Sequence, residues 1–297
     1  MIKNNFKKLG VMALSLAVLT FVGCSSNNSS KSADTSIGEQ MDYKITGIDA
    51  GAGEMQLAEK AMKDYNTKYT VQSSSGAAMT QALADAYKDK KPIIVTGWSP
   101  HWMFSKYDLK YLEDPKGSMG GAEHIDTVVH KGLKEKLPGA YKILDQFAWT
   151  PADMEAVMLE IYEGGSIKDV TRQWIDDNTD KVSKWTEGAT KVDGDAIKIA
   201  YVAWDSEIAS TNIIGTVLQD MGYTVNLTQV DAGPMWAALG SGDADAIVAA
   251  WLPATHKKYF SDYKDTIENL GPNLEGGRLG LVVPKYMDIN SIADLAK

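Results

Sequence analysis

Hydrophobic and polar positions along this chain follow one order of elements twice. Each copy opens with a β-rich run, at residues 43–48 and 197–202, and continues into a segment with apolar residues at helical spacing. A short strand, a turn of small residues and a second helix follow in both copies. Each copy then reaches a strongly apolar strand and closes with a further apolar run, at 125–129 or 279–283. This order predicts an internal repeat of alternating strands and helices.

Alternating strands and helices favour an α/β fold with a mostly parallel sheet flanked by helices. Two such units in one chain predict two similar lobes with a cleft between them. We expect residues 43–130 to form the first lobe, with 284–297 returning to it. The second lobe is expected to cover 131–283 and to include a helical insert at 150–187. Crossings between the lobes are expected near Val128-Val129 and Val282-Val283.

The last apolar strand before each closing run ends in the same short motif. Residues 92–97 lead into Trp98-Ser99-Pro100-His101, and residues 246–250 lead into Trp251-Leu252-Pro253, with His256 close behind. Ligands of open α/β sheets lie beyond the carboxyl ends of the strands. We therefore predict that Trp98 and Trp251 form facing walls of one binding site.

A third tryptophan completes this hypothesis. Trp204 follows the first strand of the second copy, where the first copy has Gly51-Ala52-Gly53. Three rings at one cleft would suit a quaternary ammonium group, which is held by cation–π attraction and cannot donate a hydrogen bond. A tryptophan taken alone is more often a core residue than a ligand-binding one. We favour the core interpretation for three other tryptophans, Trp149, Trp174 and Trp185.

Composition and the first residues indicate where the protein works. The net charge of -9 argues against a nucleic-acid partner. Lysines precede an apolar run at residues 9–22, which is the pattern of an export signal. Cys24, the only cysteine, follows this run. We interpret residues 1–23 as a lipoprotein signal peptide, Cys24 as the lipid attachment site and residues 24–42 as a flexible tether; an ordinary signal peptide with an incidental cysteine is the alternative.

Signatures of common enzymes are missing from the sequence. It contains no Gly-x-Ser-x-Gly motif, P-loop or His-Glu-x-x-His motif. His124, Asp126 and His130 would share one face of a strand and could bind a metal, although a solvated strand edge is the more common outcome for such a pattern. These three residues define the rival hypothesis, an exported metal-dependent enzyme.

The chain resembles the glycine betaine-binding lipoproteins of bacterial osmoprotectant importers of the ABC type, and most of all their Bacillus-type members. Four stretches carry the resemblance: residues 47–53, 96–104, 200–212 and 250–253. It implies a two-lobed periplasmic-binding-protein-like fold of type II. It also implies a binding protein without a cofactor, a metal or an enzymatic activity. Such a protein would be anchored through Cys24 outside the cytoplasmic membrane, and would deliver its ligand to an ABC permease.

The resemblance also implies roles for individual residues. Trp98, Trp204 and Trp251 would enclose the trimethylammonium group of glycine betaine or a related betaine such as proline betaine. His256 and the backbone N–H groups of Gly53 and Glu54 would bind the carboxylate. A member of the family carries an apolar residue where this chain has Glu54, and a backbone contact would tolerate this departure if the side chain points away from the ligand. The implied ligand-binding set is Trp98, Trp204, Trp251, His256, Gly53 and Glu54.

Overall fold

The computed structural model describes residues Ser36–Ala296. The predicted signal peptide and Cys24 lie outside the described residues. Part of the predicted tether lies inside them and forms a helical turn, α1, at Ile37–Gln40. The Ser36 hydroxyl accepts a hydrogen bond from the Glu39 N–H group, and the Glu39 carboxylate accepts one from the Ser36 N–H group. This capping box orders the chain from Ser36 onward, several residues before the first predicted strand.

The described chain alternates between strands and helices in both repeats. In chain order its elements are β1 (Lys44–Thr46), α2 (Gly53–Asp64), β2 (Thr70–Gln72), α3 (Gly76–Asp89), β3 (Val95–Ser99), α4 (Met103–Lys106), β4 (Leu109–Tyr111), β5 (Ala122–His130), α5 (Leu133–Lys136), α6 (Pro138–Gln146), α7 (Pro151–Tyr162), α8 (Ile167–Asp177), α9 (Thr179–Trp185), β6 (Ala196–Tyr201), α10 (Asp205–Asp220), β7 (Thr224–Gln229), α11 (Ala232–Ser241), β8 (Ala246–Leu252), α12 (Lys257–Tyr263) and β9 (Ile267–Pro284), followed by a 3₁₀ turn at Ile292–Ala296.

Nine strands within residues 36–296 form one mixed sheet, in the order β2-β1-β3-β9-β5-β8-β6-β7, with β4 paired to β9. The strands β2, β1 and β3 are parallel, and so are β7, β6 and β8. The two repeats thus build half-sheets of the same strand order, which we call lobe 1 and lobe 2 together with their helices. The predicted α/β, two-lobed type II fold is confirmed.

The closing strand of each repeat enters the half-sheet of the other. Strand β5, which follows the first repeat, pairs antiparallel with β8. Strand β9 pairs with β5 along Ile267–Arg278 and with β3 along Arg278–Val282. The strand partners therefore change near Ala122–His124 and Glu275–Arg278, before the predicted crossings at 128–129 and 282–283. The lobe boundaries themselves stay a prediction.

The helical insert packs around a group of aromatic rings. Thr150 and Ser166 cap α7 and α8 with their hydroxyl groups, each directly before the first residue of its helix. The ring centroids of Trp149 and Trp174 lie 5.9 Å apart, and those of Trp174 and Trp185 lie 5.8 Å apart. All three rings are buried, so their assignment to the core is confirmed.

The centre of lobe 2 is strand β8, in which every residue is buried. Strands on both sides and helices on both faces explain its uninterrupted apolar sequence, because no side of such a strand faces water. Along residues 36–296, no helix has the length and apolar character needed to cross a membrane.

Candidate functional site

Three of the predicted site residues meet at one cavity between the lobes. Trp98, Trp204 and Trp251 line this cavity, and each ring is at most 5% exposed. The remaining lining residues are Ile48, Ala52, Glu54, Ser206, Thr255 and Leu279. The cavity is therefore mostly apolar and aromatic, with a few polar groups in its wall, as is usual for small-molecule sites.

Strand ends position the first two rings. Trp98 lies near the end of β3 and Trp251 near the end of β8, each two residues before a proline that follows a cis peptide bond. Strands β3 and β8 occupy equivalent positions in the two repeats, so they deliver equivalent side chains to the same cavity from opposite lobes. This is the arrangement that the repeated Trp-x-Pro motif predicts.

The third ring comes from a helix start. Trp204 is the N-cap residue of α10, with extended backbone angles. Its indole Nε1–H group donates a 3.0 Å hydrogen bond to the Asp49 carboxylate, which precedes α2 in lobe 1. The bond joins the two lobes and fixes the plane of the Trp204 ring.

Several buried polar atoms around the cavity have no hydrogen-bond partner within the described chain. They include the hydroxyl oxygens of Ser206 and Thr255, the indole nitrogen of Trp98 and the carboxyl oxygens of Glu54. Buried polar groups in folded proteins are almost always paired, because an unpaired one costs free energy. Their concentration here indicates a place where a ligand supplies the missing partners.

His256 is fully buried and neutral. Its Nδ1 atom accepts a 3.0 Å hydrogen bond from the Trp251 N–H group, so the ring proton lies on Nε2. Burial lowers the pKa of the imidazole to about 3. Nε2 has no partner, and the ring lies parallel to Trp204 with 6.1 Å between ring centroids. His256 is not itself among the cavity-lining residues, but it directly follows Thr255, which is.

The start of helix α2 lies directly against the loop after β8. Ala52 caps the helix without a side-chain hydrogen bond, so the first N–H groups have no partner inside the helix. A β-carbon at Gly53 would lie only 1.9 Å from the Thr255 carbonyl oxygen, so this contact between the lobes requires glycine. Gly53 itself stands between two lining residues, Ala52 and Glu54.

Glu54 is one of the residues that line the cavity, and its side chain is buried. It is 2% exposed, and burial raises the pKa of its carboxyl group to about 8. The backbone N–H groups of Gly97 and Gly280 oppose this increase, although neither forms a regular hydrogen bond with the carboxyl group; the negative charge of Glu123 adds to it. Glu54 is therefore mostly uncharged at neutral pH.

Further contacts hold the lobes together around the cavity. His101 Nε2 lies 3.3 Å from an Asp205 carboxylate oxygen, and the Trp102 ring stacks on Tyr162 with 3.6 Å between centroids. The motif after Trp98 contains both His101 and Trp102, but sequence reasoning assigned them no role. Ser206, Thr255 and Leu279 were likewise missed, since nothing in their local sequence marks them as cavity residues.

Comparison with known proteins decides the family. The model described as the substrate binding domain of ABC-type glycine betaine transport systems matches residues 27–177 and 195–297. The chain belongs to this family. Its members are binding components of transporters rather than enzymes, in agreement with the sequence-based prediction.

One relative of high identity supports the assignment, and two further proteins match part of the chain. The glycine betaine/carnitine transport binding protein GbuC of Listeria monocytogenes is 51% identical over 293 residues, which is 97% of this chain and 98% of the relative. A glycine betaine/proline betaine-binding periplasmic protein of Escherichia coli is 24% identical over 172 residues. The match covers 49% of this chain and 52% of the length of the Escherichia coli protein. Lactococcal OpuAC, in its crystal structure with glycine betaine, is 51% identical in sequence. The structural match covers 49% of this chain and 58% of the lactococcal chain, with a TM-score of 0.48.

The rival metal site of the sequence analysis does not form in this member of the substrate-binding family. His124 Nδ1 contacts the Asp126 carboxylate, whereas His130 Nδ1 contacts the Leu239 carbonyl oxygen. Six residues of a strand span roughly 20 Å, so the two histidines cannot share an ion. In the part of the chain that the structure describes, no three His, Cys, Asp or Glu side chains are grouped to hold a metal.

Proposed function

We propose that this protein captures glycine betaine, and related betaines such as proline betaine, in the cavity between its lobes and delivers them to an ABC importer. The observation that carries the proposal is the cavity itself, which takes tryptophan rings from both lobes. Family membership and the 51% identity to a glycine betaine/carnitine transport binding protein support the choice of ligand.

The aromatic end of the site would bind the cation. Trp98, Trp204 and Trp251 line a mostly apolar space and would present their electron-rich faces to it. A trimethylammonium group has no N–H to donate, so it gains little from water and much from these faces. Desolvated cation–π contacts contribute about 2 kcal/mol each, and a micromolar Kd requires only about 8 kcal/mol after the cost of association.

The carboxylate would bind to neutral donors. His256 Nε2–H is unpaired and remains uncharged down to very acidic pH, because burial lowers the pKa of the ring to about 3. The first N–H groups of α2, at Gly53 and Glu54, carry the partial positive charge of a helix N-terminus. Together they would distinguish a betaine from choline, whose hydroxyl group brings no negative charge to them.

Location and partner follow from the same family. A substrate-binding component of an importer works outside the cytoplasmic membrane, and Cys24 would attach this one to the membrane by a lipid. Closed, ligand-loaded protein would then dock on a permease. Replacing Cys24 with Ser should release the protein from membranes, as measured by fractionation; retention of the variant would mean that something other than this thiol anchors it.

Calorimetric titration with glycine betaine tests the ligand assignment. We expect binding to the parent protein and a loss of about 2 kcal/mol for Trp98→Ala or Trp251→Ala, with smaller losses for Phe at the same positions. Trp174→Phe is the matched control, because this ring lies in the helical insert and should leave affinity unchanged. Parent-like affinity of both alanine variants would rule out the cage.

A further inference from the structure

Glu54 is an ionisable group in a wall that is otherwise apolar or uncharged. Glu54 lines the same cavity as the three tryptophan rings and is 2% exposed, and neither of its carboxyl oxygens has a hydrogen-bond partner in the described chain. It enters the wall from N2 of helix α2, and its counterpart at N2 of α10, Ser206, also lines the cavity with an unpaired oxygen. A carboxyl group placed so can change the net charge of the site.

Titratable and charged groups on neighbouring strands surround Glu54. On β4, burial raises the pKa of the Tyr111 phenol far above neutral, and Arg278 of β9 lies over the Tyr111 ring at 4.1 Å. On β5, the Glu123 carboxylate accepts hydrogen bonds from the N–H groups of Ala254 and Thr255 and opposes ionisation of Glu54. His256, after β8, is neutral. Burial raises the pKa of Glu54 itself to about 8, so its charge can change near neutral pH.

Net charge decides what the cavity can enclose. A buried charge is costly unless an opposite charge lies beside it. A betaine is zwitterionic, so it fits a cavity in which Glu54 keeps its proton. A quaternary ammonium monocation would leave one uncompensated positive charge, unless Glu54 becomes a carboxylate. Glu54 and the three tryptophans line the same cavity, so the two charges would be near neighbours there.

We propose that Glu54 gives this cavity a second class of ligand, quaternary ammonium monocations that lack a carboxylate, and that their binding releases one proton. The step balances simply: the Glu54 O–H bond breaks, the proton passes to solvent before the lobes close, and the carboxylate pairs with the cation. This rests on the proposed function, since the same aromatic cage must hold the ammonium group.

Choline and glycine betaine are the probes. Calorimetry at pH 6, 7 and 8, in pairs of buffers with different protonation enthalpies, gives both the affinity and the number of protons released. For choline we expect the association constant to rise by up to about tenfold per pH unit and one proton to be released below pH 8. For glycine betaine we expect neither a gain with pH nor a released proton.

Two variants separate Glu54 from other titrating groups. Glu54→Gln should abolish the rise of choline affinity with pH. Glu207→Gln is the matched control, because Glu207 is also a fully buried glutamate with a pKa raised to about 8 by burial, but it does not line the cavity. This control should keep the slope. The proton count on the parent protein needs no variant, so a folding failure of Glu54→Gln would not remove the test.

The outcomes are distinguishable from those of the proposed function. A choline affinity that does not change with pH, or a slope that survives in Glu54→Gln, would overturn the role of Glu54 while glycine betaine still binds. Betaine binding that itself releases a proton would also overturn it. If neither ligand binds at any pH, the proposed function fails, and this inference with it.

Discussion

At the scale of single residues, His256 illustrates how one backbone contact determines what a side chain can do. The Trp251 N–H group occupies Nδ1, which leaves Nε2–H as a donor with a defined direction. Replacing His256 with Ala should weaken glycine betaine binding by about 1.5–3 kcal/mol, the range for a hydrogen bond to a charged group, and should change choline binding little. Calorimetry with both ligands measures this difference.

The control for His256 is His130→Ala, because His130 bonds to the Leu239 carbonyl and is not part of the cavity. It should bind both ligands as the parent does. Equal losses for betaine and choline in His256→Ala would mean that His256 shapes the pocket rather than binding the carboxylate.

Two buried glutamates make stability depend on pH. Burial raises the pKa of Glu54 and of Glu207 from the ordinary 4.5 to about 8. Because the folded state holds these protons more tightly than the unfolded state, the stabilisation is complete below about pH 4.5 and is lost as the pH rises toward 8. At pH 7 the loss is about 3 kcal/mol for each group.

We therefore expect the free energy of unfolding of the ligand-free protein to fall between pH 5 and 8 in urea titrations. Glu54→Gln, which carries no titrating proton in either state, should be more stable than the parent at pH 7 and should show a shallower slope. A parent protein whose stability rises over this range would contradict the burial of both groups.

Residues in the site differ in how far the sequence reveals them. Trp98 and Trp251 were predictable because the repeat places the same motif at the ends of two strands. The orientation of Glu54 was not, because the groups that surround its carboxyl group, Gly97 and Gly280, belong to strands far away in sequence. A local pattern predicts where a helix starts, but it does not determine which side chain of its first turn enters a cavity.

At the scale of elements, helix α7 forms a contact that depends on closure. Its last residue, Tyr162, stacks on Trp102 of lobe 1, and Lys106 Nζ lies 4.5 Å from the Tyr162 ring centroid. An aromatic pair contributes about 0.5–1.5 kcal/mol. Opening the cleft would separate the two rings, so the pair stabilises the closed form alone.

Tyr162→Ala should accordingly weaken betaine binding roughly 2–12-fold, mainly by faster ligand release in stopped-flow tryptophan fluorescence. Tyr286→Ala is the matched control, because Tyr286 is equally exposed but packs on Tyr87 within lobe 1. Equal release rates in parent and Tyr162→Ala would mean that this stack adds nothing to closure.

The elements themselves were largely predictable, whereas their pairing was not. Three helices, α7, α8 and α9, form inside the predicted helical range 150–187. The closing runs that form β5 and β9 are equally apolar, and nothing in either sequence states that each pairs across the repeat boundary. This exchange of strands between the two half-sheets is determined only when the sheet forms, because it depends on residues from both repeats at once.

At the scale of the whole molecule, ligand should draw the lobes together. A ligand that contacts both lobes favours the closed state by its difference in affinity for the two states. Small-angle scattering should therefore give a smaller radius of gyration with glycine betaine than without it. Trp251→Ala, which removes one wall, should need more ligand for the same change; an unchanged radius at saturation would argue for a rigid protein.

The contact between Gly53 and Thr255 limits how closely the lobes can approach. A methyl group at position 53 would overlap the Thr255 carbonyl oxygen, at 1.9 Å. In Gly53→Ala we expect weaker betaine binding and a radius of gyration that stays large even when ligand is bound, as scattering at saturating betaine would reveal. A ligand-bound Gly53→Ala as compact as the parent would show that the loop after β8 can move aside.

A Gly53→Ala protein that binds ligand but cannot close has a further consequence for uptake. An importer that recognises only the closed form would hydrolyse ATP in response to the ligand-bound parent protein. It would not respond to ligand-bound Gly53→Ala. Ligand binding and activation of the importer would then be separate events. In the parent protein they would be coupled because residue 53 has no β-carbon. Reconstituted with its permease, the variant should retain ligand on the outside of the vesicle and leave the ATPase at its resting rate.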